Sequence, residues 1–358
     1  MRALLVIAMA AGCGRLGFED RPPGEGGGGI DGSTHADSGG DAQQLRPTLC
    51  NSRIVATLPI PPSTDPVAIR AVALPAGYAV AVEIDAFQVP MVQLDAAGTL
   101  VAHHEPFRPG YSPLHGIAAL ADRPIVGLEV GGLQYAKLLD PGWEAYTTGP
   151  SGDPGYIDPP IAPFPGQSSA AVATLSGGVL EVGVMSADGQ TVVPTDYQPS
   201  GMIGASLTST PSGARVVAAG ASGTCEAFFV SPAGITGPRH TFAPCYSPVV
   251  AALDDSTGLV VHRTASSGPY AVHEIPANAA AAGTTSSLPG ATYARVAARG
   301  GAYWIGFGSG TSRTFRKLAG GIVTERTEAL PTYPFDFTTR DVFWLEGPVV
   351  HAATPCEL

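Results

Sequence analysis

Phe107–Leu120 reads FRPGYSPLHGIAAL, and Phe242–Leu253, beginning 135 residues later, reads FAPCYSPVVAAL. Both stretches carry a Pro-x-Tyr-Ser-Pro corner followed by a strand of small apolar residues. The interval holds three units of about 45 residues, the length of a β-propeller blade, in which a small antiparallel sheet buries its faces only by stacking on its neighbours. The expected fold is therefore all-β, a propeller.

Working outward, the last residue of each small apolar strand falls at Leu74, Leu120, Leu175, Leu207, Leu253, Arg299 and Arg340, at intervals of 46, 55, 32, 46, 46 and 41. One misplaced anchor or one insertion accounts for the pair 55 and 32. Residues 149–166, GPSGDPGYIDPPIAPFPG, read as that insertion, because so many prolines exclude a central strand. The innermost strands are rich in small residues, as at Ala71, Ala118, Ala170, Ala251 and Arg295, which suits convergence around a narrow axis. A second apolar strand follows each, starting at Tyr78, Pro124, Ala214, Leu259, Tyr303 and Val342. Third strands end in Asp/Pro-Gly hairpins such as VQLDAAGTLV.

After Arg340 there is chain for two more strands but not for an outer one. The spare strand is Arg53–Pro59, and pairing it with the last unit closes the ring and removes exposed sheet edges. A Cys50–Cys356 disulfide would tie the same seam, and Cys225–Cys245 would bridge one hairpin. Strand arithmetic and cysteine placement both favour seven blades closed by an N-terminal strand. Six or eight blades and a pair of packed β-sandwiches are the rival architectures.

The net charge of −11, with two lysines among 358 residues, excludes a phosphate-binding stripe, so no nucleic-acid partner is expected. The first thirteen residues, MRALLVIAMAAGC, have a charged Arg2 and an apolar run too short to span a bilayer. Ala10-Ala11-Gly12-Cys13 resembles the lipobox of bacterial lipoproteins, departing from it at Ala10, where Leu is usual. That resemblance implies a signal peptide over 1–12, cleavage before Cys13, its diacylation and a membrane-anchored protein of the cell envelope. It also implies the outer membrane over the inner, because Gly14 is not Asp. Residues 13–46 then form the lipidated cysteine and a Gly/Asp-rich tether, and 47–358 the propeller domain.

In a propeller, the loops joining second to third strands and outer to next inner strands open on one face. The residues placed there are Glu83, Asp85, Glu129, His262, Arg263 and Glu346, with tyrosines Tyr111, Tyr246, Tyr293 and Tyr333 at the corners. Carboxylates and aromatic rings on a concave surface suit glycan or peptide binding. Tyrosines recurring at one repeat position also pack between blades, and strand-end charges are commonly only solvated. His103 and His104 point to opposite faces of a strand and cannot readily share a metal. No catalytic or metal-binding signature stands out, and no cofactor is expected. The sequence thus predicts a monomeric, lipid-anchored, extracytoplasmic module that binds a glycan, peptide or envelope protein through its loop face. A propeller enzyme acting on glycans and a purely structural envelope lipoprotein are the alternatives.

Overall fold

The computed structural model describes residues 49–58, 66–84, 89–107, 114–120, 123–129, 133–139, 142–147, 156–158, 160–186, 191–309, 312–320, 322–328, 335–338 and 340–355. The expected signal peptide, lipidated Cys13 and tether fall outside these residues, as do Asp85, Tyr111, Tyr333 and Cys356. Arg46–Leu358 groups as one compact unit.

The described strands form seven sheets, each ordered from an innermost strand outward. Six are built mainly from consecutive strands. Sheet I comprises Pro66–Leu74, Gly77–Ile84, Val89–Asp95 and Leu100–Phe107. Sheet II comprises Leu114–Leu120, Arg123–Glu129, Leu133–Leu139 and Gly142–Thr147. Sheet III comprises Ile161–Pro163, Ala170–Ser176, Val179–Met185 and Val192–Pro194. Sheet IV comprises Met202–Thr210, Gly213–Gly220, Cys225–Val230 and His240–Phe242, with Tyr156–Ile157 added in parallel beside the first. Sheet V comprises Tyr246–Ala251, Gly258–Arg263, Tyr270–Ile275 and Thr285–Leu288. Sheet VI comprises Tyr293–Arg299, Ala302–Ser309, Ser312–Ala319 and Ile322–Glu328.

Sheet VII is composite. Phe335–Phe337, Val342–Glu346 and Val349–Pro355 come from the C-terminal end, and Leu49–Thr57 adds the outermost strand. In that join Arg53 faces Ala352, Ile54 faces His351 and Thr57 faces Val349. The described part of the expected strand Arg53–Pro59, up to Thr57, thus pairs where the strand count placed it. Cys50 is itself disulfide-bonded and lies opposite Thr354, two residues before Cys356.

Alternation along each strand sends side chains to both neighbouring sheets, because both faces are covered. One apolar cluster joins sheets VII and I through Val55, Leu58, Val82, Phe343 and Val350. Another joins I and II through Met91 and Ile117, and a third runs through II, III and IV by way of Leu120, Leu180 and Phe228. Sheets IV and V share Val217 and Val260, V and VI share Val261 and Ile305, and VI and VII share Phe315 and Trp344. Every sheet therefore packs on the next, and the last packs on the first. This is a β-propeller arrangement.

The structure corrects the reading of unit three. Ala170–Ser176 is the second strand of sheet III, and the innermost strand is Ile161–Pro163, inside the stretch read as an insertion. An innermost strand is an edge, where a proline costs no ladder hydrogen bond on its free side. Pro163 lies 43 residues after Leu120 and 44 before Leu207, so the irregular spacing came from a misplaced anchor.

Of the two Pro-x-Tyr-Ser-Pro corners, the second falls among the described residues. There Ser247 takes a left-handed φ of 45° and the ladder of sheet V bulges between Tyr246 and Val249. The corner is thereby the bent entry to an innermost strand.

Candidate functional site

The axis is closed by charge. Arg70, Arg295 and Asp336 sit on the innermost strands of sheets I, VI and VII, and Asp158 directly follows Tyr156–Ile157, the strand added beside sheet IV. Arg70 donates from Nε and Nη2 to the two Asp158 oxygens at 3.1 and 2.6 Å, and Arg295 Nη2 donates to Asp158 Oδ2 at 2.6 Å. Asp336 Oδ2 accepts the Ala71 amide at 2.9 Å. Burial pushes the Asp336 carboxyl up, and the two guanidinium groups oppose that rise. Two cations and two acids neutralise one another across the ring, which gives this set a structural role rather than a receptive one.

The residues expected on the loop face are distributed over five sheets. Glu83 is buried at the end of its strand, and its Oε2 accepts the Leu114 amide at 3.0 Å, pinning the start of sheet II. His262 is 1% exposed, with Nδ1 bonded to the Arg263 carbonyl at 3.1 Å. Tyr293 donates to the Phe335 carbonyl at 2.8 Å and meets that ring edge-on. Glu83 and Tyr293 thus make these bonds inside the ring rather than on an open face, and His262 is buried there with its Nε2 left without a hydrogen-bond partner. Tyr246 is half-buried, its ring against the Gly223 turn, where an added Cβ would come within 2.3 Å of the hydroxyl. Arg263 lies over the Tyr270 ring at 5.1 Å and donates to the Ser266 carbonyl. Glu346 is an exposed carboxylate 3.3 Å from His351 Nε2. Glu129 ends the second strand of sheet II.

The receptive geometry lies at the seam of sheets III and IV. A cavity of about 480 Å³ opens there, lined by Ser200, Ser222, Thr224, Thr241 and Glu226 together with the backbone of Gly201 and Gly220. Ser200 and Gly201 link an outer strand to the next inner one, and Gly220–Thr224 joins a second strand to a third, so the cavity belongs to the loop face.

Glu226 is its centre. Tyr197 OH lies 2.9 and 2.8 Å from the two Glu226 oxygens, Arg239 Nε lies 3.5 Å from Oε1, and the guanidinium sits 4.7 Å over the Tyr197 ring. Burial raises the Tyr197 hydroxyl above its ordinary value; Arg239 opposes that rise and Glu226 reinforces it. Tyr197 therefore stays a donor. Its segment is fixed by Gln198, whose amide bonds both the N–H and the carbonyl of Val182, and by Thr195 Oγ1 donating to the Tyr197 carbonyl. On the sheet IV side, Cys225–Cys245 ties the third strand to the entry of sheet V. Sequence reasoning missed this trio, because separated residues on a loop, on a third strand and just ahead of a fourth strand leave no local pattern.

The arrangement is suited to hydrogen-bond exchange. Glu226 is offset by Arg239, and the surrounding hydroxyls each offer both donor and acceptor capacity. A second cavity of about 350 Å³ opens on the opposite face between sheets V and VI, with a mainly apolar lining that includes Leu253, Ile275, Pro276 and Leu318. Among the described residues, no group of three or more His, Cys, Asp or Glu is placed to hold a metal ion.

No family model matches this sequence, and no curated protein sequence matches it. Solved structures do. BamB from Moraxella catarrhalis is similar with a TM-score of 0.51 and 12% identity, over 79% of this chain and 84% of that one. BBS1N, solved in complex with ARL6DN, gives 0.55 and 10%, over 86% and 96%. The Dos1 propeller gives 0.51 and 10%, over 79% and 76%. At these identities the likeness establishes the fold.

Proposed function

We propose that this chain is a lipid-anchored, extracytoplasmic binding module that takes a polyhydroxylated ligand, a glycan segment, in the loop-face seam between sheets III and IV. Counting the composite sheet as a full blade, the module is a seven-bladed wheel. The observation that carries the reading is the Tyr197–Glu226–Arg239 set opening on a cavity ringed by four hydroxyl side chains. A carboxylate already oriented by a tyrosine and a guanidinium accepts paired sugar hydroxyls, and serine and threonine hydroxyls exchange with the rest. The buried disulfide Cys225–Cys245 supports an oxidising compartment. The Ala10–Cys13 motif supports a diacyl anchor at Cys13, and Gly14 favours the outer membrane.

A protein-scaffold reading is favoured by one comparison, since BBS1N was solved with a protein partner. A glycan array probed with the full chain, followed by titration calorimetry, separates the two. Glycan binding that Glu226→Gln and Tyr197→Phe weaken about tenfold or more, and Glu346→Gln leaves unchanged, is the expected result. Binding that survives both seam substitutions, or an empty array beside capture of an envelope protein, contradicts it.

A further inference from the structure

The outer strand of sheet IV presents two faces with different chemistry. Thr241 pairs with Glu226 and lines the loop-face cavity, and Arg239, just ahead of the strand, reaches the same carboxylate. His240 and Phe242 point the other way, into the seam with sheet V, where Phe242 packs with Val217, Cys225 and Val260.

In that seam His240 Nε2 meets His273 Nε2 at 2.9 Å, and both residues are under 5% exposed. The rings stack with centroids 5.3 Å apart, and Phe242 lies flat on His273 at 3.8 Å. The neighbouring bonds fix the protons. His240 Nδ1 lies 3.1 Å from the Ala279 carbonyl, which only accepts, so the proton of neutral His240 is on Nδ1 and its Nε2 is an acceptor. His273 must then donate from Nε2, and its Nδ1 accepts from the Thr285 hydroxyl at 2.8 Å. The chain runs from Thr285 through His273 and His240 to Ala279, so a second imidazole proton enters either at His273 Nδ1, where the Thr285 hydroxyl must turn from donor to acceptor and a cation is left buried in the seam without a carboxylate, or at His240 Nε2. Adding one to His240 Nε2 sets two N–H groups face to face and breaks the bond.

Acids that would welcome that proton face elsewhere. Glu226 and Arg239 belong to the III–IV seam, Glu274 is exposed, and Arg263 lies over Tyr270. From sheet V His262 is turned toward the pair, its ring 5.6 Å from that of Phe242, and its buried Nε2 has no hydrogen-bond partner. Segment 276–284 contributes the Ala279 carbonyl and the backbone of Gly283, where an added Cβ would come 2.5 Å from His273 Nε2.

We infer that the His240–His273 pair is an acid-sensitive latch that holds the strand carrying Arg239 and Thr241, so that a fall in pH loosens this edge of the loop-face site. The inference rests on the glycan-binding reading for its meaning, though not for its test. Burial first, then His240 and His262, hold the His273 imidazole down at about 4, against an ordinary 6.5. A depressed histidine stabilises the closed strand above the ordinary value, and that stability drains as pH falls from 6.5 toward 4. Opening then becomes more favourable by up to about tenfold per pH unit.

The test is hydrogen exchange of the full chain, without ligand, at pH 7.0, 5.5 and 4.5, corrected for intrinsic rates. The expected result is at least a tenfold loss of protection at His240–Phe242 and Thr285–Leu288 by pH 4.5, with Gly77–Ile84 unchanged, and no such loss in His240→Leu/His273→Phe. Equal protection of these strands at pH 7.0 and 4.5, or the same acid opening in the double variant, overturns it. If the variant does not fold, ring-carbon NMR of the unaltered protein decides. A His273 that titrates near 6.5 while its strand stays protected overturns the latch. Because no ligand is used, the failure of the latch and an empty glycan array are separate outcomes.

Discussion

Replacing Asp158 by Asn tests the charged closure of the axis. The substitution keeps the size of the side chain but leaves the buried Arg70 and Arg295 with one neutral amide in place of a shared carboxylate. Removing one member of a buried ionic set costs about 3–5 kcal/mol, because the partners remain buried without compensation. Against a net stability of about 5–15 kcal/mol, that is a large fraction. Urea unfolding followed by tryptophan fluorescence reads it directly, since Trp304 and Trp344 sit in sheets VI and VII. A companion variant, Arg70→Met/Asp158→Leu/Arg295→Met/Asp336→Asn, replaces the charges with matched volume and keeps an acceptor for the Ala71 amide. Its stability should equal or exceed that of the parent. A loss under about 1 kcal/mol for Asp158→Asn, or an equally damaged companion, would show that the axial ions do not bear on the closure of the ring.

Three further outcomes follow from other parts of the wheel. Cys225→Ser/Cys245→Ser opens a crosslink with a sequence separation of 20 residues and should lower stability by about 3 kcal/mol in the chain-entropy account; an unchanged urea midpoint contradicts it. Asp341 sits between Arg53, at 3.0 Å, and Thr354, at 2.7 Å; burial alone would raise its carboxyl, but the bonds from Thr354, Tyr78 and Arg53 hold it below the ordinary value. Its contribution is thus present above about pH 4 and lost as pH falls through the lower folded value, so Asp341→Asn should cost about 1–3 kcal/mol at pH 7 and less at pH 3, measured by urea titration at both. Deleting residues 47–57 removes Val55 and Ala56 from the cluster shared with Phe343 and Val350, and should lower the unfolding midpoint sharply and expose dye-binding apolar surface, while a chain of parental stability would refute that packing.

Much of this fold was legible. The two Pro-x-Tyr-Ser-Pro corners and the small-residue strands expose the repeat, because every blade solves the same steric problem near the axis. The spare strand before Pro59 was legible because an unpaired edge is costly and the last unit was one strand short. Ile161–Pro163 was hidden because three residues with a proline carry no alternation, and the better apolar run beside them drew the alignment. The axial ions were hidden because one arginine in an apolar strand says nothing about which acid lies across the ring. Among the proposed site residues, Glu83 and His262 were placed correctly at strand ends, but their burial depends on packing that sequence does not display. Glu226, Tyr197 and Arg239 meet only because a loop, a third strand and the approach to a fourth strand share one seam.

The central claim is that Leu49–Thr57 closes the ring as the outermost strand beside Val349–Pro355. Ile54 and His351 face each other across that join, so Ile54→Cys with His351→Cys places two thiols within reach of a disulfide. Oxidation followed by mass spectrometry of non-reduced peptides should recover the 54–351 crosslink in the folded protein, with a raised unfolding midpoint. Two free thiols that react independently with an alkylating reagent, in a protein that is otherwise folded, would mean that the strand pairs elsewhere and the wheel is not closed in this way.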